Sequence, residues 1–434
     1  MGAAAPLDVV VLAAGQGKRM KSRRAKVMHA IGGRSLLRHV LAATAALKPA
    51  RTFVVVGPKA DDVRAELAGD NVRIVEQKKR LGTGHAVLQT AAWHRRGRRD
   101  VLVVCGDVPL LTPETLKKLH RRHRRAGAAA TMLTFRPADP GAYGRVLRDG
   151  RGNVIAIREL KDATAGERAV GEVNSGIYVF DRRELFDALP ALSNRNEAGE
   201  YYLTDVIGRL VDAGKRVVAI DAGDPDEVEG VNTLAELARA GRILRWRTLA
   251  GHLARGVRVV DPDTTYIDVD VTIGEGTTIY PFTVILDQCR IGRDCAVGPF
   301  SHLRNGTVLE DGAEVGNFTE VKKSVLGEKS KAKHLAYIGD ATLGRRVNVG
   351  AGTITANWDG RSKHATILDD DVYVGSNTVF VAPVRVGKRV RVGAGAVVIR
   401  DVPDDVTVVG APARVLPPKG DPKRSSKKKR GGGR

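Results

Sequence analysis

Between residues 273 and 321 an apolar side chain returns at every sixth position: Ile273, Ile279, Ile285, Ile291, Val297, Leu303, Leu309, Val315 and Val321. The step resumes at Val374, Phe380, Val386, Val392 and Val398. Helices and ordinary strands have much shorter periods, so neither accounts for a six-residue step. A hexapeptide repeat builds a parallel β-helix, in which each hexad forms one side of a three-sided prism with its apolar residue pointing inward. Glycine follows many of these residues, as in Ile273-Gly274, Ile291-Gly292, Val297-Gly298, Val315-Gly316, Val386-Gly387 and Val392-Gly393. The pattern predicts tight corners at those glycines. A prism over 257–416 has about eight turns at roughly 18 residues each. It offers flat faces and no closed pocket, so its sites are expected where neighbouring subunits meet. The step fails over 327–337 and again at NWDGRSKHAT (357–366), and both segments read as loops.

Ahead of the repeat the pattern changes. Short apolar runs at 8–12, 53–57 and 101–106 alternate with stretches of helical period at 33–48 and 114–126. That alternation predicts a mostly parallel, Rossmann-like α/β sheet covered by helices, with its site beyond the carboxyl ends of the strands. Residues 231–256 read as a linking helix between this domain (1–230) and the prism (257–416). No apolar run reaches the roughly 20 residues of a membrane helix. The opening MGAAAPLDVVVLAAG lacks a basic n-region and reads as a strand, and Pro6 spoils a myristoylation pattern. Cys105, Cys289 and Cys295 are odd in number and lack zinc spacing, which points to reduced thiols in a cytoplasmic protein.

The net charge of +22 raises the question of nucleic acid. Part of it lies in the terminal KGDPKRSSKKKRGGGR, expected to be disordered over 417–434. The rest is expected on helix surfaces, at His94-Arg95-Arg96 and Arg121-Arg122-His123-Arg124-Arg125. With 4% aromatic residues there is little to stack on bases, and phosphorylated substrates suit the basic bias equally well.

Two stretches carry chemistry. Leu12-Ala13-Ala14-Gly15-Gln16-Gly17-Lys18-Arg19 leaves the first strand, with Lys26 a few residues on. Such glycines let backbone approach phosphate oxygens that the cations neutralise, although a plain strand-to-helix turn would also fit. Gln77 and Leu81-Gly82-Thr83-Gly84-His85-Ala86 suit a pyrimidine edge, and Asp107 at a strand end suits magnesium, or else a turn. In the prism, Arg304, Lys322, Tyr337 and Lys363 could clamp a sugar phosphate. His334 suits deprotonation of an amine, the alternative being a surface histidine on a basic loop.

The segments LAAGQGKRM, LGTGHAVLQT, CGDVPLL, GAYGRVLRDGRG, IRELKDA, GEVNSGIY, NEAGEYYLTDVI and EGVNTLAEL resemble sugar-phosphate nucleotidyltransferases. More narrowly they resemble the family of bifunctional N-acetylglucosamine-1-phosphate uridylyltransferase/glucosamine-1-phosphate N-acetyltransferases. Its second half is matched by VGNFTEVKKSVLGEKSKAKHLAYIGDATLG and NVGAGTITANWDGRSKHAT. The resemblance implies a left-handed β-helix behind the nucleotidyltransferase domain. It implies that Leu12, Ala13, Ala14, Gly15, Gln77, Gly82 and Thr83 bind the uridine nucleotide, that Arg19 and Lys26 hold phosphates, and that Asp107 and Asn232 hold magnesium. Gly144, Glu159 and Asn174 would read the sugar.

In the second half it implies His334 as general base, with Arg304, Lys322, Tyr337 and Lys363 on the sugar phosphate. Asn348 and Asn357 would orient sugar or thioester, and Trp358, Ser376 and Ala394 would face coenzyme A. A homotrimer acting on UTP, sugar phosphates and acetyl-CoA, without membrane or nucleic-acid partners, follows. Three positions depart from the family: Lys18 for threonine, Ala25 for proline and Trp358 for tyrosine. An inactive, trimerising prism is the alternative reading of the second half.

Overall fold

The computed structural model describes residues 6–94 and 99–416, the side chain of Lys18 excepted. The basic terminal run therefore lies outside the described residues, as do Arg95 and Arg96. The chain divides into two compact units after Arg242.

The first unit is built on one sheet. Its strands run in the order Val217–Asp221, Ala130–Phe135, Val173–Asp181, Asp100–Cys105, Leu7–Ala13, Arg51–Val56 and Arg73–Glu76. Leu7–Ala13 is parallel to both neighbours, whereas Val173–Asp181 is antiparallel to its two neighbours in this order and to Arg145–Arg148. The central strands are apolar at nearly every position because helices cover both faces. Val9, Val11, Leu37, Val40, Leu116 and Leu119 pack on one side; Val10, Phe53, Val103, Leu185 and Val206 pack on the other.

The helix Pro113–Ala126 starts where the Thr112 hydroxyl accepts from the Thr115 amide and ends at left-handed Gly127. Arg121, Arg122, Arg124 and Arg125 are exposed as expected, but His123 is buried and its Nδ1 lies 3.1 Å from the Thr131 hydroxyl. The helical period puts position 123 on the same face as Leu116 and Leu119. His94 is likewise buried, stacked on Phe186 with ring centroids 4.5 Å apart.

A helix, Leu234–Leu253, begins at a reciprocal cap in which Thr233 and Glu236 each accept from the other's backbone amide. The second unit is the expected parallel β-helix, with three sheets of ten, eight and seven strands. Thr278 pairs with Ala296 and Ala296 with Glu314, so each hexad lies over the one three sides earlier. All of the repeated apolar residues from Ile273 to Val398 are buried. Threonine and serine at the corners tie one coil to the next, as Thr277 Oγ1 does to the Gly292 carbonyl at 2.8 Å and Ser301 Oγ to Gly316 at 2.7 Å.

Two expectations about the prism are corrected. Residues 327–337 do not form a loop: Val325–Leu326, Lys331–His334 and Tyr337–Gly339 are strands in the three ladders. The coil is one residue shorter, with Val308 opposite Val325 and Glu314 opposite Lys331. The deletion falls in a corner, so the inward parity of each strand survives. Ala332 takes an inward position where the pattern had a larger residue, which hid the repeat.

The glycines that follow the apolar residues are also explained differently. Only Gly298 of the six has positive φ, 98°. The others pass close to the next coil; a Cβ on Gly316 would lie 2.8 Å from the Lys333 carbonyl carbon. Many corners are instead carried by ordinary residues with positive φ, including Phe282, Phe300 and Phe318 at 56°, 54° and 56°. The stretch after Asn357 is a loop as expected, bridged at Trp358 and Lys363, with Thr366 already in the next strand. Among the described residues no helix is long and apolar enough to cross a membrane.

Candidate active sites

In the first unit the strand Leu7–Ala13 delivers its glycine loop to the carboxyl edge of the sheet. There a cavity of about 440 Å³ opens, lined by Leu12, Ala13, Ala14, Gly15, Lys26, Gln77, Gly82, Thr83 and Asp107. A smaller hollow of about 200 Å³ beside it brings in Arg19 and Asn232. The expected nucleotide, phosphate and metal residues therefore share one cleft, although they come from four segments of the chain.

The centre of the cleft is a cation between two oxygens. Lys26 Nζ donates to the Asp107 carboxylate and to Asn232 Oδ1 at 3.0 Å. Asp107 and Asn232 are held together by backbone, since the Val231 amide donates to the Asp107 carbonyl at 2.9 Å. Asn232 Nδ2 donates to Gly230, whose own amide donates to the Tyr143 hydroxyl. An ammonium ion thus stands where both oxygens point, so the pair suits a shared cation. Among the described residues no group of three or more histidine, cysteine or acidic side chains is arranged to hold a metal ion.

Ala25, which departs from the family, has φ −57° and ψ 141°, angles that proline also adopts. Its amide donates to Asp62 at 3.3 Å, a bond proline could not make, so the loop before Lys26 is held by another means.

Gln77 is buried and its Nε2 donates to the Gly82 carbonyl at 3.0 Å, bracing the turn into the helix Thr83–Leu88. Further along the sheet, the Asn174 amide donates to the Gly144 carbonyl at 2.9 Å. Glu159 Oε1 accepts from Thr204 Oγ1 at 3.0 Å and lies against Gly144, so Gly144, Glu159 and Asn174 form one cluster. Burial holds the Glu159 carboxyl above the usual range. Burial also pushes the Cys105 thiol up to about 12 and Tyr143 to about 12, so neither is poised as a nucleophile or base near neutrality.

Three residues of this cleft escaped the sequence reading. Tyr143 supports the Gly230 turn, Glu200 lines the cavity, and Arg80 lines it with Nε donating to the Ala14 carbonyl at 2.7 Å. Arg80 stands in the basic run Lys78-Lys79-Arg80, which the sequence reading did not single out.

In the prism, Arg304 pairs in register with Lys322, and Lys322 with Gly339. The Tyr337 ring lies across Gly339, where a Cβ would be 2.7 Å from its Cζ. Lys363, reaching in from the loop after Asn357, lies so close to Lys322 that it holds that ammonium below the ordinary lysine range. Like charges brought this close mark a place made for an anion. Asn357 is buried and donates to Asp340, which also faces Lys322.

His334 lies elsewhere on the same coil, at the corner before Leu335. Stacked along that corner are Ala351, Ser376 and Ala394, linked by Asn377 N to Ala351 O at 2.7 Å and Gly395 N to Ser376 O at 2.8 Å. His334 is exposed, and its imidazole makes no hydrogen bond among the described residues. Asn348 is exposed on the preceding side, opposite Lys331, and Trp358 is exposed on its loop. The structure therefore joins the anion residues to one another, with Trp358 bridged to Lys363, and stacks His334 on the corner of Ser376 and Ala394, with Asn348 opposite Lys331 of the strand that carries His334.

Comparison with known proteins agrees with both halves. Residues 9–213 match the MobA-like NTP transferase domain, and residues 270–305 match the bacterial transferase hexapeptide of six repeats. The chain is 42% identical over 439 residues to "Bifunctional protein GlmU" of Geobacillus sp. (strain WCH70), covering 94% of this chain and 95% of that one. It is 44% identical over 429 residues to the protein of the same name from Pelobacter propionicus, covering 91% and 93%.

Proposed function

The chain belongs to the family of bifunctional GlmU proteins, and from that premise we propose that the two clusters described above are its two catalytic centres. The enzyme transfers acetyl from acetyl-CoA to glucosamine-1-phosphate and then uridylyl from UTP to the N-acetylglucosamine-1-phosphate so formed. The observation that carries the assignment is the convergence of Lys26 with Asp107 and Asn232 at the mouth of the glycine-loop cleft.

In uridylyl transfer a phosphate oxygen of the sugar attacks the α-phosphorus of UTP, and the bond to pyrophosphate breaks. No covalent enzyme intermediate is needed, so the protein contributes position and charge. Gln77, Gly82 and Thr83 hold the base end, with Leu12, Ala13 and Ala14 as the floor. Arg19 and Lys26 neutralise phosphate oxygens, while Gly144, Glu159 and Asn174 face the sugar. Asp107 and Asn232 hold a divalent cation, magnesium in this proposal, which when bound supplies further charge neutralisation to the triphosphate.

In acetyl transfer His334 takes a proton from the amine as its nitrogen attacks the thioester carbonyl, and the coenzyme A thiol leaves. Arg304, Lys322, Tyr337 and Lys363 hold the sugar phosphate, with Asn348 and Asn357 beside the reacting groups. Trp358, Ser376 and Ala394 face the coenzyme.

The prisms assemble as a homotrimer in this reading. Support comes from the unpartnered His334 and from an exposed ridge of stacked rings, Phe282, Phe300 and Phe318, with centroids 4.8 and 5.2 Å apart. A cytoplasmic location agrees with three free cysteines. The test is one assay with glucosamine-1-phosphate, acetyl-CoA, UTP and magnesium, followed for thiol and pyrophosphate. His334→Ala is expected to abolish thiol release and, with N-acetylglucosamine-1-phosphate supplied, to leave pyrophosphate release intact. No thiol release from the wild type would reduce the prism to a scaffold.

A further inference from the structure

Arg80 is a cation that lines the cleft and has no counter-ion among the described residues. Its guanidinium is tied at one corner only, where Nε donates to the Ala14 carbonyl at 2.7 Å. Among the described residues it makes no ion pair, although the chain pairs many of its other arginines. It lines the same cavity as Gln77, Gly82 and Thr83, and as Gly15, Lys26 and Asp107. Arg80 stands in the turn between Gln77 and Gly82, which the bond from Gln77 Nε2 to the Gly82 carbonyl closes, so it is placed beside the groups assigned to the base.

Its position depends on a glycine. Gly57 follows the strand Arg51–Val56, and the guanidinium lies flat against it; a Cβ there would be 2.8 Å from both Cζ and Nε of Arg80. Gly57 does not need a positive φ, so the missing side chain makes room for Arg80 and serves no backbone requirement. The guanidinium is thus held at Nε by Ala14 and backed by Gly57, at the wall of the cleft.

We propose that Arg80 is a nucleotide-positioning residue that closes over the pyrimidine ring of UTP. A planar guanidinium stacks on an aromatic ring and, held in advance, loses little freedom on doing so. This rests on the reading of the cleft as the uridylyl-transfer site, and it adds a residue and a ring contact that reading does not contain.

Two substitutions test it independently. In Arg80→Gln the amide nitrogen falls where Nε stood, so the bond to Ala14 is kept while the planar cation is lost. In Gly57→Ala the cation is kept but displaced, and because the colliding atoms end a flexible side chain, folding is not at stake. Both variants are expected to bind UTP about five- to tenfold more weakly, in the range of a ring–cation contact. Inhibition by inorganic tripolyphosphate, which lacks the base, is expected to be unchanged in both. The double variant is expected to be no weaker than Arg80→Gln alone, because both changes remove one contact.

Wild-type affinity for UTP in the two variants would overturn the inference. So would an equal loss for tripolyphosphate, which would make Arg80 a phosphate ligand. A wild-type protein that binds no UTP would overturn the cleft assignment and this inference with it.

Discussion

Replacing Lys363 with methionine should weaken substrate binding while strengthening the empty protein. In the free protein Lys363 faces Lys322 closely enough to hold its ammonium below the ordinary lysine range. A sugar phosphate placed between them converts repulsion into two charge-assisted bonds. One such bond is worth about 1.5–3 kcal/mol, so its loss should raise the KM for glucosamine-1-phosphate about 10- to 150-fold. The KM for acetyl-CoA and the whole of uridylyl transfer should not move.

The stability effect has the opposite sign. Because Lys322 titrates lower in the folded state, the unfolded chain holds more protons between the two values, and stability rises with pH across that window. Below it, at neutral pH, the repulsion acts in full. Lys363→Met removes it, so Tm without ligand should rise and its increase toward alkaline pH should flatten. Thiol-release kinetics against sugar-phosphate concentration, with thermal unfolding at neutral and alkaline pH, give both readings. An unchanged KM would refute the anion clamp. A fall in Tm would mean that Lys363 chiefly holds the loop after Asn357 in place.

Asp107→Ala should abolish pyrophosphate release and spare thiol release, since the second centre draws no residue from the cleft; loss of both activities would show that the centres are not independent. Phe380→Ala empties a fully buried position in the prism and should cost about 3–5 kcal/mol in urea unfolding. A loss under 1 kcal/mol would mean that the coils collapse to fill the space. Burial raises Cys105 to about 12, Cys289 to about 11 and Cys295 above its ordinary value, so all three stay protonated at pH 8. A thiol reagent at that pH should therefore label the buried Cys289 and Cys295 only as fast as the protein unfolds, and rapid labelling of either would place that thiol at the surface.

The hexad step named the prism, and the alternation of short apolar runs with helical stretches named the sheet, because both are periods of the local chain. Where a period was broken, local reading failed. The shortened coil at 327–337 looked like a loop because Ala332 is a weak marker of an inward position and the missing residue falls in a corner. His123 and His94 looked like surface charge because arginines stand beside them in the sequence; only the packed helix face shows that position 123 turns inward with Leu119. The nucleotide, phosphate and metal residues drawn from the family resemblance line adjoining hollows, yet Arg80 passed unnoticed in a run of cations.

By itself, then, the order of residues determined which segments coil, which pleat, and that a glycine loop with cations leaves the first strand. Tertiary structure alone decided which distant groups meet: Lys26 with Asp107 and Asn232, Lys322 with Lys363, Arg80 with Gly57. The reason is physical. A period is set by neighbours a few residues away, whereas a meeting of charges depends on register and packing summed over the whole fold.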